Sequence, residues 1–89
     1  MAADKDSLIE YPCDFPIKVM GPNSKAFVDA MCFLAGQFDP HWKADTMERR
    51  ESKAGTYLGL TLTLHVTDRE QLDEVYRTLS SHPMVKVVL

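Results

Sequence analysis

Ten consecutive residues in the second half of the chain alternate almost perfectly between aliphatic and other side chains. This run is Tyr57–Val66, with the sequence YLGLTLTLHV, and its aliphatic residues are Leu58, Leu60, Leu62, Leu64 and Val66. Side chains on a β-strand alternate between the two faces of a sheet, so all five aliphatic side chains point to one side. The run therefore predicts a strand in the middle of a sheet that has one buried face.

Two other segments have the spacing of amphipathic helices. In the first, apolar residues recur every three or four positions over residues 27–38, after Asn23 and Ser24, either of which can cap a helix. In the second, Thr67 and Glu70 have the spacing of a capping box. The apolar face predicted for this second helix comprises Leu72, Val75, Tyr76 and Leu79.

Three further segments are interpreted as strands. Residues 15–20 alternate apolar and other side chains, and the glycine and proline that follow are expected to end this strand. Residues 85–89 alternate as well, with Val85, Val87 and Leu89 assigned to the buried side. The segment from about residue 42 to residue 50 has no clean apolar face. Its charged end suits an exposed edge strand that resists pairing with other chains.

The order of these elements is β-α-β-β-α-β. Two right-handed crossovers joined by a hairpin place both helices on one face of a four-stranded antiparallel sheet, with the first and third strands in the centre. This arrangement is the ferredoxin-like fold of the α+β class. A chain of 89 residues has room for one domain. We assign residues 12–89 to it and interpret residues 1–11 as a flexible N-terminal arm.

One face of the predicted sheet is left without a cover. The residues assigned to this face are Lys18, Met20, Thr61, Thr63, His65, Lys86 and Val88. They are amphipathic as a group, which suits a modest interface with another protein or with a second copy of the chain. The open face is therefore the first candidate for a binding surface.

A second candidate site is the turn formed by Gly21, Pro22 and Asn23, which leads into the first helix. Free amides and the helix dipole at a helix N-terminus favour an anion. A small metabolite could bind there, and the alternative is that the turn is only a helix cap.

Several other functions are not supported by the residues present. The loop at residues 52–55 contains Lys53 and Gly55 but lacks the GxxxxGK[ST] spacing of a phosphate loop, and it lies between two strands, so it is interpreted as a hairpin turn. The two cysteines and three histidines have no paired spacing, so we predict no metal and no cofactor. No catalytic residue is assigned, and an enzyme is not expected.

Charge and hydropathy limit the partners further. The formal net charge is −3, and the predicted central strands lack the aromatic residues that stack bases, so nucleic acid is not an expected partner. No segment has the length of a membrane span, and no secretory signal is recognisable. We therefore expect a cytoplasmic protein that does not associate with membranes.

Four short motifs resemble those of a known family. They are FPIKVMG at residues 15–21, SKAGTY at residues 52–57, the helix around Tyr76, and MVKVVL at residues 84–89. In this order and spacing they resemble the YbeD-like family of small bacterial proteins, over nearly all of residues 8–89. Gly59 departs from the family pattern, in which a serine is expected.

The resemblance implies a cytosolic domain similar to ACT regulatory domains, with no established activity and no catalytic residues. Members of the family are often encoded near a lipoate-attachment enzyme, which suggests a link to lipoate metabolism. We therefore expect a non-enzymatic regulatory or protein-interaction module that uses the open face. The alternative is an ACT-like regulatory domain that binds a small metabolite at the first strand–helix loop.

Overall fold

The computed structural model of the chain describes residues 10–89. The strands are β1 (Cys13–Pro22), β2 (Glu48–Glu51), β3 (Tyr57–Val66) and β4 (Val87–Val88), and the helices are α1 (Lys25–Phe38) and α2 (Arg69–Ser81). Their order along the chain is the predicted one. Most of the arm predicted at residues 1–11 lies outside the described residues.

The four strands form a single antiparallel sheet in the order β2-β3-β1-β4. β1 and β3 occupy the centre and pair over ten residues each, with Cys13 opposite Val66 and Pro22 opposite Tyr57. β1 is longer than predicted, because Gly21 and Pro22 continue to pair with β3 instead of ending the strand. Four antiparallel strands with two helices confirm the predicted ferredoxin-like fold.

The core lies between the sheet and the two helices. All five aliphatic residues of β3 are at most 1% exposed, as the alternation predicted, and they pack with Ile17 and Val19 of β1. The helices contribute Phe27, Met31, Ala35, Leu72, Val75 and Leu79 to the same cluster. Since residues of both helices pack against this one side of the sheet, neither of the two described helices covers the other side.

Side chains cap both helices. Ser24 Oγ accepts a hydrogen bond from the Phe27 N–H at 3.2 Å, which confirms one of the two predicted caps of α1. At α2 the cap is Asp68, whose Oδ1 accepts from the Gln71 N–H at 2.8 Å. The capping box predicted to begin at Thr67 is therefore wrong by one residue. Gln71 Oε1 accepts from the Thr67 N–H at 2.7 Å, one residue before the cap.

The segment before β2 is not a strand, although β structure was predicted from about residue 42. Trp42 and Met47 pack against the core, and a turn of 3₁₀ helix at Ala44–Thr46 lies between them. The buried carboxylate of Asp39 fixes the start of this segment, because its Oδ2 accepts a hydrogen bond from the His65 N–H of β3 at 3.1 Å. The strand is thereby restricted to the four residues of β2.

The loop between β2 and β3 is a hairpin turn, as predicted. The Ser52 N–H donates to the Tyr57 C=O at 2.9 Å and closes the turn. Gly55 has a φ of +75°, a conformation that other residues rarely adopt, which explains the glycine there. The segment that contains Lys53 and Gly55 is thus a hairpin turn between two strands, as predicted.

β4 orients its side chains opposite to the prediction. Val88 packs against the core, whereas Val87 pairs with Met20 and is 44% exposed on the uncovered face. Leu89 exchanges two backbone hydrogen bonds with Lys18, at 3.2 and 2.8 Å, and residues that are directly opposite share a face. The prediction that Val87 and Leu89 are buried and that Val88 is exposed is therefore wrong.

Candidate functional site

The open face is the side of the sheet that neither helix covers, and the strand register aligns its residues in rows. One row, from β2 to β4, is Glu48, Thr61, Lys18 and Leu89. The next row is Arg50, Gly59, Met20 and Val87. The remaining positions on this face are Tyr57, Thr63, His65, Asp14, Pro16 and Pro22. The face is thus built from all four strands and mixes apolar, polar and charged side chains.

A depression lies in the open face where β3 has no side chain. Its floor is at Gly59, and a Cβ atom built there would meet only the Arg50 carbonyl oxygen within 4 Å, at 3.6 Å. The depression has a volume of about 720 Å³. The side chains around Gly59 include Lys18, Met20, Glu48, Arg50, Tyr57 and Leu89. We refer to this feature as the Gly59 depression.

Exposed hydrophobic residues concentrate on the open face. Four large hydrophobic side chains are exposed in the described part of the chain, and three of them lie on the open face: Tyr57 at 42%, Val87 at 44% and Leu89 at 66%. The fourth, Phe33, is on α1. A contiguous apolar area bordered by charged groups is typical of a protein-interaction surface, whereas single exposed hydrophobic residues are common and carry little information.

The charged groups beside the depression are not neutralised within the domain. Lys18, Glu48 and Arg50 form no ion pair with any residue in the range 10–89. Lys18 and Arg50 stand on strands separated by β3, so their backbones are about 10 Å apart at the usual strand spacing. They are therefore available to a partner.

His65 lies at the opposite end of the open face from the depression. Its Nδ1 is 3.1 Å from Asp14 Oδ1, on the residue directly opposite in β1. Thr63, next to it on this face, is also exposed, whereas Thr61 lines the depression. The predicted set of Thr61, Thr63 and His65 is thus divided between two regions of the face.

The first strand–helix loop is closed by contacts within the chain. The Asn23 Nδ2 group donates to the Gly55 C=O at 2.9 Å, and the Asn23 N–H donates to the Thr56 C=O at 3.1 Å. Gly21 is buried, and its missing side chain lets an aromatic ring of the core lie against the backbone. The polar groups predicted to meet a ligand therefore tie this loop to the hairpin turn.

Lys86 is not among the residues that line the Gly59 depression. Lys86 is exposed, and its N–H donates to the Met20 C=O at 2.7 Å beside β4. Within residues 10–89 no group of three or more histidine, cysteine or acidic side chains could hold a metal ion.

Cys32 is partly buried, and this burial raises the pKa of its thiol. None of the described helices is long and apolar enough to cross a membrane.

Sequence reasoning missed most of the residues around the depression. Glu48, Arg50, Tyr57 and Leu89 were not assigned to a site. The alternation of β3 already places Tyr57 and Gly59 on the open face, but the register with β2 and β4 is needed to bring the others beside them. Gly59, which departs from the family pattern, indicated from the sequence that a side chain is missing on this face. It did not indicate which residues surround that position.

Comparison with known proteins identifies the family. Residues 6–89 match a family described as a protein of unknown function, DUF493. The chain is 56% identical over 85 residues to a UPF0250 protein of Leptothrix cholodnii, an alignment that covers 96% of this chain and 93% of the relative.

Two further relatives give the same result. A UPF0250 protein of Ralstonia nicotianae is 55% identical over 85 residues, with 96% of this chain and 88% of the relative covered. One of Paraburkholderia phytofirmans is 49% identical over 89 residues, with both chains covered completely. The chain therefore belongs to the DUF493 (UPF0250) family of small bacterial proteins of unknown function, in agreement with the predicted YbeD-like resemblance.

Proposed function

We propose that this chain is a non-enzymatic, cytoplasmic binding module that docks another protein on its open face and thereby regulates it. One observation carries the proposal. Three of the four large hydrophobic residues exposed within residues 10–89 lie on the face that the helices leave bare, and two of them, Tyr57 and Leu89, line the Gly59 depression. A partner that buries these side chains would remove their apolar surface from water. This removal is the main driving force of protein association.

A protein fits this surface better than a small metabolite does. Small-molecule sites enclose most of the ligand and direct a few polar groups at it. Here Lys18 and Arg50 are separated by a strand, and the apolar side chains extend across the sheet to β4. An interface with an apolar centre and charged groups at its rim has this composition. The partner we favour is therefore a protein segment that lies across β3 and β1.

The metabolite alternative places a ligand at the first strand–helix loop, near Gly21, Pro22 and Asn23. It is less well supported, because the Asn23 amide already bonds to Gly55 and because Gly21 is packed against the core. The link with lipoate metabolism stays a prediction from the resemblance. It would make an enzyme of that metabolism the first partner to examine.

The proposal predicts that filling the Gly59 depression abolishes partner binding. Gly59→Phe places a ring over the floor, and the ordinary contact of a Cβ atom at this position leaves the strand undisturbed. Tagged wild-type and variant proteins would be used for affinity capture from a lysate of the source organism, followed by mass spectrometry. A protein captured by the wild type should be lost, with its affinity reduced by about tenfold or more.

Gly36→Phe is the matched control. Gly36 is exposed on α1 with open space around it, so the same substitution adds the same ring on the helix side of the domain. This variant should capture the partner as the wild type does. Retention of the partner by Gly59→Phe would exclude the depression. A small molecule that co-elutes without any protein would favour the metabolite alternative.

A further inference from the structure

β2 has an unusual charge pattern for an edge strand. Its four residues, Glu48, Arg49, Arg50 and Glu51, are all exposed. None of them forms an ion pair with another of the described residues. Charged residues normally keep an edge strand from pairing with arbitrary strands. Glu48 and Arg50, the two β2 residues on the open face, carry opposite charges, however, so an antiparallel copy of the strand can set each glutamate opposite an arginine.

The backbone of β2 has donors and acceptors on its outer edge. Hydrogen-bonded pairs in an antiparallel ladder recur at every second residue. The Ser52 N–H donates a hydrogen bond to the Tyr57 C=O of β3. Counting back in steps of two residues, the backbone groups of Arg50 and Glu48 are the ones in β2 that form hydrogen bonds with β3. The N–H and C=O groups of Arg49 and Glu51 therefore point away from the sheet. Within residues 10–89 no strand lies beside them, so they can form a ladder with another strand.

From this pattern we infer that β2 pairs with β2 of a second copy of the chain, antiparallel and centred on Arg49, to join two sheets into one of eight strands. In a continuous sheet, opposing residues share a face. Glu48 and Arg50 lie on the open face, while Arg49 and Glu51 lie on the other face. Centring on Arg49 sets Glu48 of each chain opposite Arg50 of the other, which gives two ion pairs.

The hydrogen-bonding phase agrees with this register. Arg49, with its outward backbone groups, exchanges hydrogen bonds with Arg49 of the second copy. Glu48 and Arg50 then form the non-hydrogen-bonded pairs, in which opposing side chains are closer and attraction is stronger. The one like-charged pair, Arg49 with its copy, is at the wider position. A register centred on Arg50 would place the Arg50 side chains of the two copies opposite each other at the closer, non-hydrogen-bonded position. This register is therefore disfavoured.

The inference is argued from β2 alone, although Glu48 and Arg50 also border the Gly59 depression of the proposed function. Pairing along the β2 edge leaves both open faces uncovered and on the same side of the joined sheet. We call the line where the two β2 strands meet the seam. Since Gly59 is directly opposite Arg50, the two Gly59 depressions would lie one strand away from this seam on either side. The strand is only four residues long, so the dimer belongs to the class of small, weak interfaces.

Charge reversal at the seam tests the inference. Sedimentation equilibrium of the wild type at up to about 1 mM, where weak interfaces are populated, should show a monomer–dimer equilibrium. E48R and R50E each place like charges opposite one another twice per dimer. Each should therefore raise the dissociation constant by about tenfold or more. A 1:1 mixture of E48R and R50E should form a heterodimer, because the arginines at positions 48 and 50 of one chain then oppose the glutamates at positions 50 and 48 of the other.

Circular dichroism would first establish that the variants fold, as expected for exposed positions. E51R is the matched control: it reverses the same charge on the same strand outside the two ion pairs, so its dimer should persist. A wild type that stays monomeric over the whole concentration range would overturn the inference. So would a dimer that E48R and R50E leave intact, a mixture that fails to associate, or a dimer that only E51R disrupts.

Discussion

Replacing Leu62 with aspartate is expected to leave the chain unfolded at 25 °C. Leu62 has no exposed surface and lies opposite Ile17 at the centre of the sheet. The substitution removes about 2 to 3 kcal/mol of apolar burial and puts an unpaired carboxylate into the core, at a further cost of several kcal/mol. The sum is comparable with the total stability of about 5 to 15 kcal/mol typical of folded domains. Far-UV circular dichroism and thermal melting measure the outcome.

Thr63→Asp is the control for this prediction. Thr63 is the next residue of β3 and is exposed on the open face, so an introduced carboxylate stays in water. We expect a folded protein that loses about 1 kcal/mol or less, because aspartate is a poor strand residue. A folded Leu62→Asp protein together with an unfolded Thr63→Asp protein would mean that the two faces of β3 are reversed.

The success of the sequence reasoning at β3 has a physical basis. A strand that is buried on one face only must separate its aliphatic residues from its other residues, and β3 does so over ten positions. The same holds for α1 and α2, whose buried residues recur with the helical period. Once these long elements are identified, the connection rules leave one favoured topology, and the uncovered face follows from it.

The errors fall where the local pattern does not distinguish the two faces. Val87 and Val88 are both apolar, so the alternation at β4 is compatible with either orientation, and only the pairing with β1 decides between them. Before β2, Trp42 and Met47 are anchored in the core without strand geometry. Such tertiary contacts override the local preference for β structure.

The Gly59 depression was beyond sequence reasoning for a related reason. The open face could be predicted from topology, but the shape of its surface depends on which residues are neighbours across strands. Arg50, Gly59 and Met20 are far apart in the sequence and become one row only through the register of β2 and β1 with β3. A shift by one residue would move each side chain to the other face and remove the depression.

Gly21→Ala is expected to destabilise the domain by about 2 kcal/mol, although it adds only one methyl group. A Cβ atom at this position would lie 2.5 Å from Cε1 of Phe27 and 2.6 Å from the carbonyl oxygen of Met84. The Phe27 ring is fully buried and the Met84 oxygen belongs to the backbone, so neither can move aside cheaply. The gain from a less flexible unfolded chain, about 0.4 to 1 kcal/mol, is too small to offset the overlap.

Gly36→Ala makes the same chemical change where nothing opposes it. Gly36 is exposed within α1 and a Cβ atom there meets no atom within 4 Å, so alanine should stabilise the domain by up to about 1 kcal/mol through its higher helix propensity. Urea denaturation of both variants should thus show midpoints that move in opposite directions from that of the wild type. If Gly21→Ala were as stable as the wild type, α1 and the segment before β4 could not approach β1 as closely as described, and the ring of Phe27 would not hold its place over Gly21.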